Sequence, residues 1–90
     1  MNKERRKQLQ DARDLIDKAE GLLSEAKEML AGAKDDEQEY FDNMPESLQG
    51  GDKGQAAEAA VSALDDAVNE LDSAIEGCQN AAGNIETASE

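Results

Sequence analysis

Two rows of apolar residues, each spaced by seven, constrain this chain more than any other feature. Leu9, Ile16, Leu23 and Leu30 form one row, and Ala12, Ala19, Ala26 and Ala33 form another three residues later. Offsets of three and four place both rows on one stripe of a helix. Labelled a and d, they are the seam of a coiled coil with a small residue at every d. Leu15, Leu22 and Met29 form a third row, g, beside the seam. The pattern fails at Glu37, which takes an a position, and ends near Asp42. A second run follows, with Val61, Val68, Ile75 and Ala82 at a, and Ala57, Leu64, Leu71, Cys78 and Ile85 at d. Its g row is Ala60, Ala67, Ala74, Ala81 and Ala88.

Between the runs, Pro45 biases Met44 away from helical geometry and stops the first helix. Residues 43–54, NMPESLQGGDKG, are the connection. Within it, residues 45–48 suit a single helical turn, Gly50-Gly51 is a turn signal, and Asp52 with Gln55 resembles a capping box for the next helix. The reading is one domain, with a helix over 3–42, a turn over 43–54 and a helix over 55–88. So short a connection cannot supply a parallel crossover, so the helices must run antiparallel.

Centring the turn near residue 47 fixes a register of eight core layers. These are Leu9–Ile85, Ala12–Ala82, Ile16–Cys78, Ala19–Ile75, Leu23–Leu71, Ala26–Val68, Leu30–Leu64 and Ala33–Val61. Four layers contain an Ala of the first helix, and in three of these it meets a larger residue. The same register sets the e flank: Arg13 faces Glu86, Lys27 faces Asp72, Lys34 faces Asp65 and Glu20 faces Gln79. Three opposite-charge pairs arise without a like-charge clash. On the g flank Leu15 faces Ala81, Leu22 faces Ala74 and Met29 faces Ala67. The expected fold is all-α, an antiparallel two-helix coiled-coil hairpin with a charged edge and an apolar edge. A core of Ala and scattered Leu is thin for a lone unit of this size. Two hairpins packing through the apolar edge into a four-helix bundle would cover it; the alternatives are docking on a different protein and a monomer that tolerates the exposed stripe.

Composition excludes most chemistry. With no His and one Cys in 90 residues, there is no imidazole base, no Ser-His-Asp triad, no Glu-x-x-His di-metal site and no zinc cluster. No phosphate-binding glycine loop is present. The run Asp35–Asp42 lacks the Gly-turn loop of an EF-hand. The expectation is a protein that is not an enzyme and holds no cofactor or metal. Cys78, at a d position, reads as a buried, inert thiol, and a lone Cys suits a reducing cytosol. No stretch is apolar enough for a membrane span or a signal peptide, which points to the cytoplasm.

Nine Lys and Arg against 22 Asp and Glu give a net charge of −13. Such a charge disfavours nucleic acid and anionic membranes as direct ligands and favours a protein partner with a basic surface. Residues 1–34 carry eight of the basic residues and seven of the acidic ones, whereas residues 35–90 carry one Lys and 15 acids. The candidate partner surface is therefore Asp35, Asp36, Glu39, Tyr40, Phe41 and Asp42 near the turn, with Glu58, Asp66, Glu70 and Glu76 on the second helix. Regularly spaced carboxylates of this kind can imitate nucleic-acid phosphates, or serve solubility alone. Tyr40, Phe41, Met44 and Leu48 either plug the turn end of the hairpin or form a binding hot spot. The second candidate surface is the apolar edge: Leu15, Leu22 and Met29 with Ala67, Ala74 and Ala81. Glu37 at a implies that the seam opens there, near Ala57. Gly21, Gly32, Gly77 and Gly83 all fall at outward-facing positions.

The segment DDEQEYFDNMPESLQGGDKGQAAEAAVSALDDAV and the opening NKERRKQLQDARDLIDKAE resemble a recurrent type of small protein from phages and mobile elements of Firmicutes and other gut bacteria. In that type an NMPESLQ-like turn joins two acidic amphipathic helices. The resemblance spans most of the chain and brings no catalytic residue with it. It implies a phage accessory or counter-defence protein acting in the bacterial cytosol. On that reading the chain is an inhibitor of anti-CRISPR or anti-restriction kind that blocks a basic, nucleic-acid-handling defence protein. The alternative function is a structural or adaptor hairpin, acting as a homodimer or completing a partner's helical bundle.

Overall fold

A computed structural model describes all 90 residues. The chain is all-α: α1 spans Lys3–Asp42, α2 is a single turn over Glu46–Gln49, and α3 spans Asp52–Ala88. The molecule is a rod of 69 × 15 × 14 Å. Asn2 caps α1, its side-chain oxygen accepting a hydrogen bond from the Arg5 N–H at 2.8 Å, which satisfies one of the free donors of a helix start. No helix is long and apolar enough to cross a membrane.

The long helices lie antiparallel. Lys34 Nζ donates to Asp65 Oδ1 at 2.7 Å near the connection. Lys27 pairs with Asp72 farther along. Gln79 Nε2 donates to Glu20 Oε1 at 3.0 Å, and Arg13 reaches Glu86 at 3.8 Å toward the open end. These four contacts share one register, and they are the e-flank pairs expected from the sequence. Exposed pairs of this type add little to stability, so their main effect is on alignment.

Two helices can enclose only a narrow strip, and burial shows it. The a and d residues are mostly half-exposed, with Ala19 and Ala33 open to solvent. Cys78 is half-buried rather than buried, because the third and fourth walls that would enclose a d position are missing. Only Gly54, Ala57 and Ala82 are buried.

The expected opening of the seam at Glu37 is not found. Ala57 is the most enclosed apolar residue, 1% exposed, and Glu37 is half-exposed. The cause is Gly54. A Cβ there would overlap the Gln49 carbonyl oxygen and lie 2.7 Å from the Gln49 Cα. Without a side chain, α3 lets the backbone of α2 lie directly on it, closing this end around Ala57. Gln49 completes the closure, its Nε2 donating to the Phe41 and Met44 carbonyls at 3.2 Å each. The Phe41 carbonyl also accepts from the Met44 N–H at 3.1 Å, so the Gln49 amide adds a second bond there and supplies the Met44 carbonyl, which lies past the helix end, with a partner.

The start of α3 differs from expectation too. It begins at Asp52, three residues earlier than expected, so Lys53 falls inside it. Gly51 is the N-cap, with no side-chain cap bond. Asp52 is therefore the first helical residue, and Gln55 donates to the Gly50 carbonyl at 3.1 Å instead of completing a capping box. No glycine has a positive φ, so Gly50-Gly51 turns the chain with ordinary backbone angles. The glycine that the geometry requires is Gly54.

Candidate partner-binding surfaces

Along α3 the carboxylates divide into two sets. Asp65, Asp72 and Glu86, at e, meet cations from α1. Glu58, Asp66, Glu70 and Glu76 lie outside every ion pair of the fold. A rise of about 1.5 Å per residue spreads the latter over roughly 27 Å of helix. The separation was legible in the register: Asp66, Glu70 and Glu76 lie off the e flank, and Glu58, although at e, falls opposite Phe41 instead of a cation.

At the end of α1, Asp35, Asp36, Glu39 and Asp42 are all exposed. The last turn of α1 contains no basic residue. A helix C-terminus carries a partial negative charge, which disfavours the two carboxylates of the last turn, Glu39 and Asp42. Asp42 is relieved in part by Gln38, whose Nε2 donates to it at 2.9 Å.

The four apolar residues of the turn do not form one cluster. Phe41 is half-buried and turns to the charged edge, where it shares a cleft of about 350 Å³ with Lys34, Gln38, Glu58, Val61 and Asp65. Tyr40, Met44 and Leu48 line a separate groove of about 300 Å³ at the tip, with Asp52 and Lys53. Tyr40 is 50% exposed and Leu48 is exposed as well, so these two do not plug the end; the Gly54 contact does. Gln49 and Gly54 are the residues that sequence reasoning missed. Their signal was weak, one Gln and one Gly in a polar connection.

Comparison with protein-family models, with curated proteins and with solved structures returns no match. The surfaces must therefore be interpreted from their own chemistry.

The ion pair at the connection end displaces the titration of Lys34. Its pKa is raised from 10.5, first by the hydrogen bond to Asp65 and then by the charges of Asp65 and Asp35. A lysine whose folded pKa lies above its unfolded value adds stability in full below pH 10.5 and loses it as pH rises through the folded value. Asp65→Asn removes the main cause. Melting temperatures recorded between about pH 9 and about pH 12 should fall less steeply for the variant than for the parent chain. Equal slopes would show that the pair holds Lys34 no differently from water.

On the opposite edge, Leu15, Leu22 and Met29 are 66%, 67% and 75% exposed. Seven-residue spacing puts them in a row roughly 21 Å long. Ala67 and Ala81 are half-exposed and Ala74 exposed on the α3 side of the edge. No three of the chain's Asp, Glu and Cys side chains gather in an arrangement suited to a metal ion.

Proposed function

We propose that the chain is a non-enzymatic protein-binding module whose unpaired carboxylates engage a basic surface on another protein. One observation carries this reading. The fold pairs Asp65, Asp72 and Glu86 with α1 cations and leaves Glu58, Asp66, Glu70 and Glu76 unmatched, while further acids crowd the C-terminal pole of α1. That crowding lowers the stability of the free protein, and a cationic partner would reverse the penalty on contact. Tyr40 beside the acidic run supplies an amphipathic anchor of the kind that dominates binding energy at interfaces. The spaced carboxylates also suit occupation of a Lys/Arg-lined groove that otherwise holds nucleic acid. Together with the resemblance to small acidic phage proteins, this favours an inhibitor of a nucleic-acid-handling bacterial defence protein.

The test is capture of partners from a bacterial lysate at about 0.05 M and about 0.5 M salt, with a DNA oligonucleotide as competitor. Screening shortens the reach of charge from more than about 10 Å to a few ångströms over that range. Binding should weaken at least tenfold, and the oligonucleotide should displace the chain. Retention that ignores both salt and DNA would refute electrostatic mimicry. The triple variant Asp66→Asn, Glu70→Gln, Glu76→Gln should lose binding while keeping its helicity.

The apolar edge supports a second reading, a hairpin whose homodimer, or whose docking into a partner's helical bundle, is the functional unit. Its three large exposed side chains favour this, since each contributes about 1.5–3 kcal/mol when covered.

A further inference from the structure

The apolar edge is self-complementary in charge as well as in shape, and this selects an occupant. We infer that two copies pack through it as an antiparallel dimer whose two-fold axis passes beside Leu22 and Ala74. The inference rests on the dimer reading of the edge and is independent of the acidic-surface reading.

The face consists of the g rows of α1 and α3, bordered inside by the d rows and outside by the c rows. A two-fold axis across the rod at Leu22 sets α1 against α1 and α3 against α3. On α1, Leu22 meets Leu22 of the second copy, and Leu15 meets Met29. The inner rows bring Ala19 to Ala26 and Ala12 to Ala33, which lets the helices approach. The outer rows bring Lys18 to Glu25 twice, once on each side of the axis. Both residues are exposed and neither takes part in an ion pair within the chain. On α3, Ala74 meets Ala74, Ala67 meets Ala81 and Ala60 meets Ala88, while Glu70 falls opposite Gly77. The one like-charged pairing, Glu4 with Glu39, also occurs twice, at the two outer ends beside Arg5.

The competing symmetric arrangement has its axis along the rod and sets α1 against α3. It also places Leu15, Leu22 and Met29 over Ala81, Ala74 and Ala67. In that case, however, Glu25 meets Glu70, and Lys18 meets Gly77 and gains nothing. Charge therefore discriminates between two arrangements that apolar contact alone would not separate. The face between Gln8 and Asp36 is roughly 42 Å long and about 20 Å wide. That footprint, about 800 Å² per copy, is the size of a standard stable interface. Such a contact also supplies the enclosure that the half-exposed a and d residues lack. The charge of −13 on each copy opposes association, so the dimer should tighten as salt rises to physiological strength.

Sedimentation equilibrium of the full chain and of charge variants tests this, with circular dichroism as the check on folding. The parent chain should be dimeric at micromolar concentration, and Leu22→Glu should be a folded monomer. Glu25→Lys has opposite signs in the two arrangements. Across the antiparallel axis it places a second ammonium group against Lys18 and should raise the dissociation constant about tenfold; along the parallel axis it would meet Glu70 and tighten the dimer. Adding Lys18→Glu to Glu25→Lys reverses both pairs and should restore the parent affinity. In a Cys78→Ser background, Leu22→Cys should form a disulfide-linked dimer on oxidation, whereas Leu15→Cys alone should not. A monomeric parent chain would overturn the dimer itself. A dimer that Glu25→Lys tightens, or one that the double reversal fails to restore, would overturn the antiparallel axis.

Discussion

Gly54→Ala is expected to lower the stability of the folded chain by about 2 kcal/mol or more, although the substitution improves helix propensity. Inside a helix, Ala is favoured over Gly by about 1 kcal/mol, so local reasoning gives the opposite sign. The contact decides the sign. The new methyl would overlap the Gln49 carbonyl and come within 2.7 Å of its Cα. Those are backbone atoms, which no rotamer change can move aside. Overpacking of this kind typically costs about 1–3 kcal/mol, occasionally more, and here α2 must lift off α3. The lift would also break the Gln49 side-chain bonds to Phe41 and Met44 and uncover Ala57. Urea denaturation should show a lower midpoint with an unchanged slope. If the variant matched or exceeded the parent chain, the close packing of α2 on α3 would not exist in solution.

The second large effect has the opposite sign. Gly21, Gly32, Gly77 and Gly83 lie within the long helices, and an added Cβ would meet nothing within 4 Å at any of them. None has a positive φ. Replacing each with Ala removes freedom from the unfolded chain at no steric cost, a gain of about 0.4–1 kcal/mol per site. The sites are separated, so the effects should add, giving roughly 2–4 kcal/mol for the fourfold variant. For a domain of this size that corresponds to a rise in Tm of about 10 °C or more. An unchanged or lower Tm would mean that these positions are not the free helix surface described above. If instead the variant is more stable but loses partner binding, the glycines serve close approach, and Gly32 and Gly77, which border the apolar edge, are the ones to revert first.

The contrast between Gly54 and the four helix-surface glycines separates what is legible in the sequence from what is not. Heptad spacing located both long helices, and one assumption about the turn centre placed Lys34 opposite Asp65 and Arg13 opposite Glu86. Spacing carries that information because side-chain direction in a helix follows residue number. The closure of the turn end was not legible. Gly54 looked like one more loop glycine, and Glu37 at a core position looked like a fault in the seam. What decides the matter there is the approach of one backbone to another, and backbone contact leaves no periodic trace in a sequence. The parting of the two turn aromatics was hidden as well. Tyr40 and Phe41 are adjacent in the chain, but the helix sends Phe41 to the charged edge and Tyr40 to the groove at the tip. The surfaces themselves were legible as composition, and the division of the α3 acids into paired and unpaired sets followed from the register.

The uneven charge has a consequence along the rod as well as across it. Around the turn, residues 35–58 hold eight carboxylates and one lysine. At the open end, residues 1–13 and 82–90 hold five basic side chains and four carboxylates. A single copy is therefore a permanent electric dipole 69 Å long. It should turn in the field of a cationic partner and arrive tip first, presenting Tyr40 and the groove beside it before the flank of α3 makes contact. Two copies related by an axis across the rod point their dipoles in opposite directions, and the long-axis moments cancel. Electric birefringence should thus show strong field alignment in a monomeric variant such as Leu22→Glu and weak alignment in the antiparallel dimer. Association would then change how the protein finds a target, from an oriented approach by one end to a broadside approach by two acidic helices lying side by side.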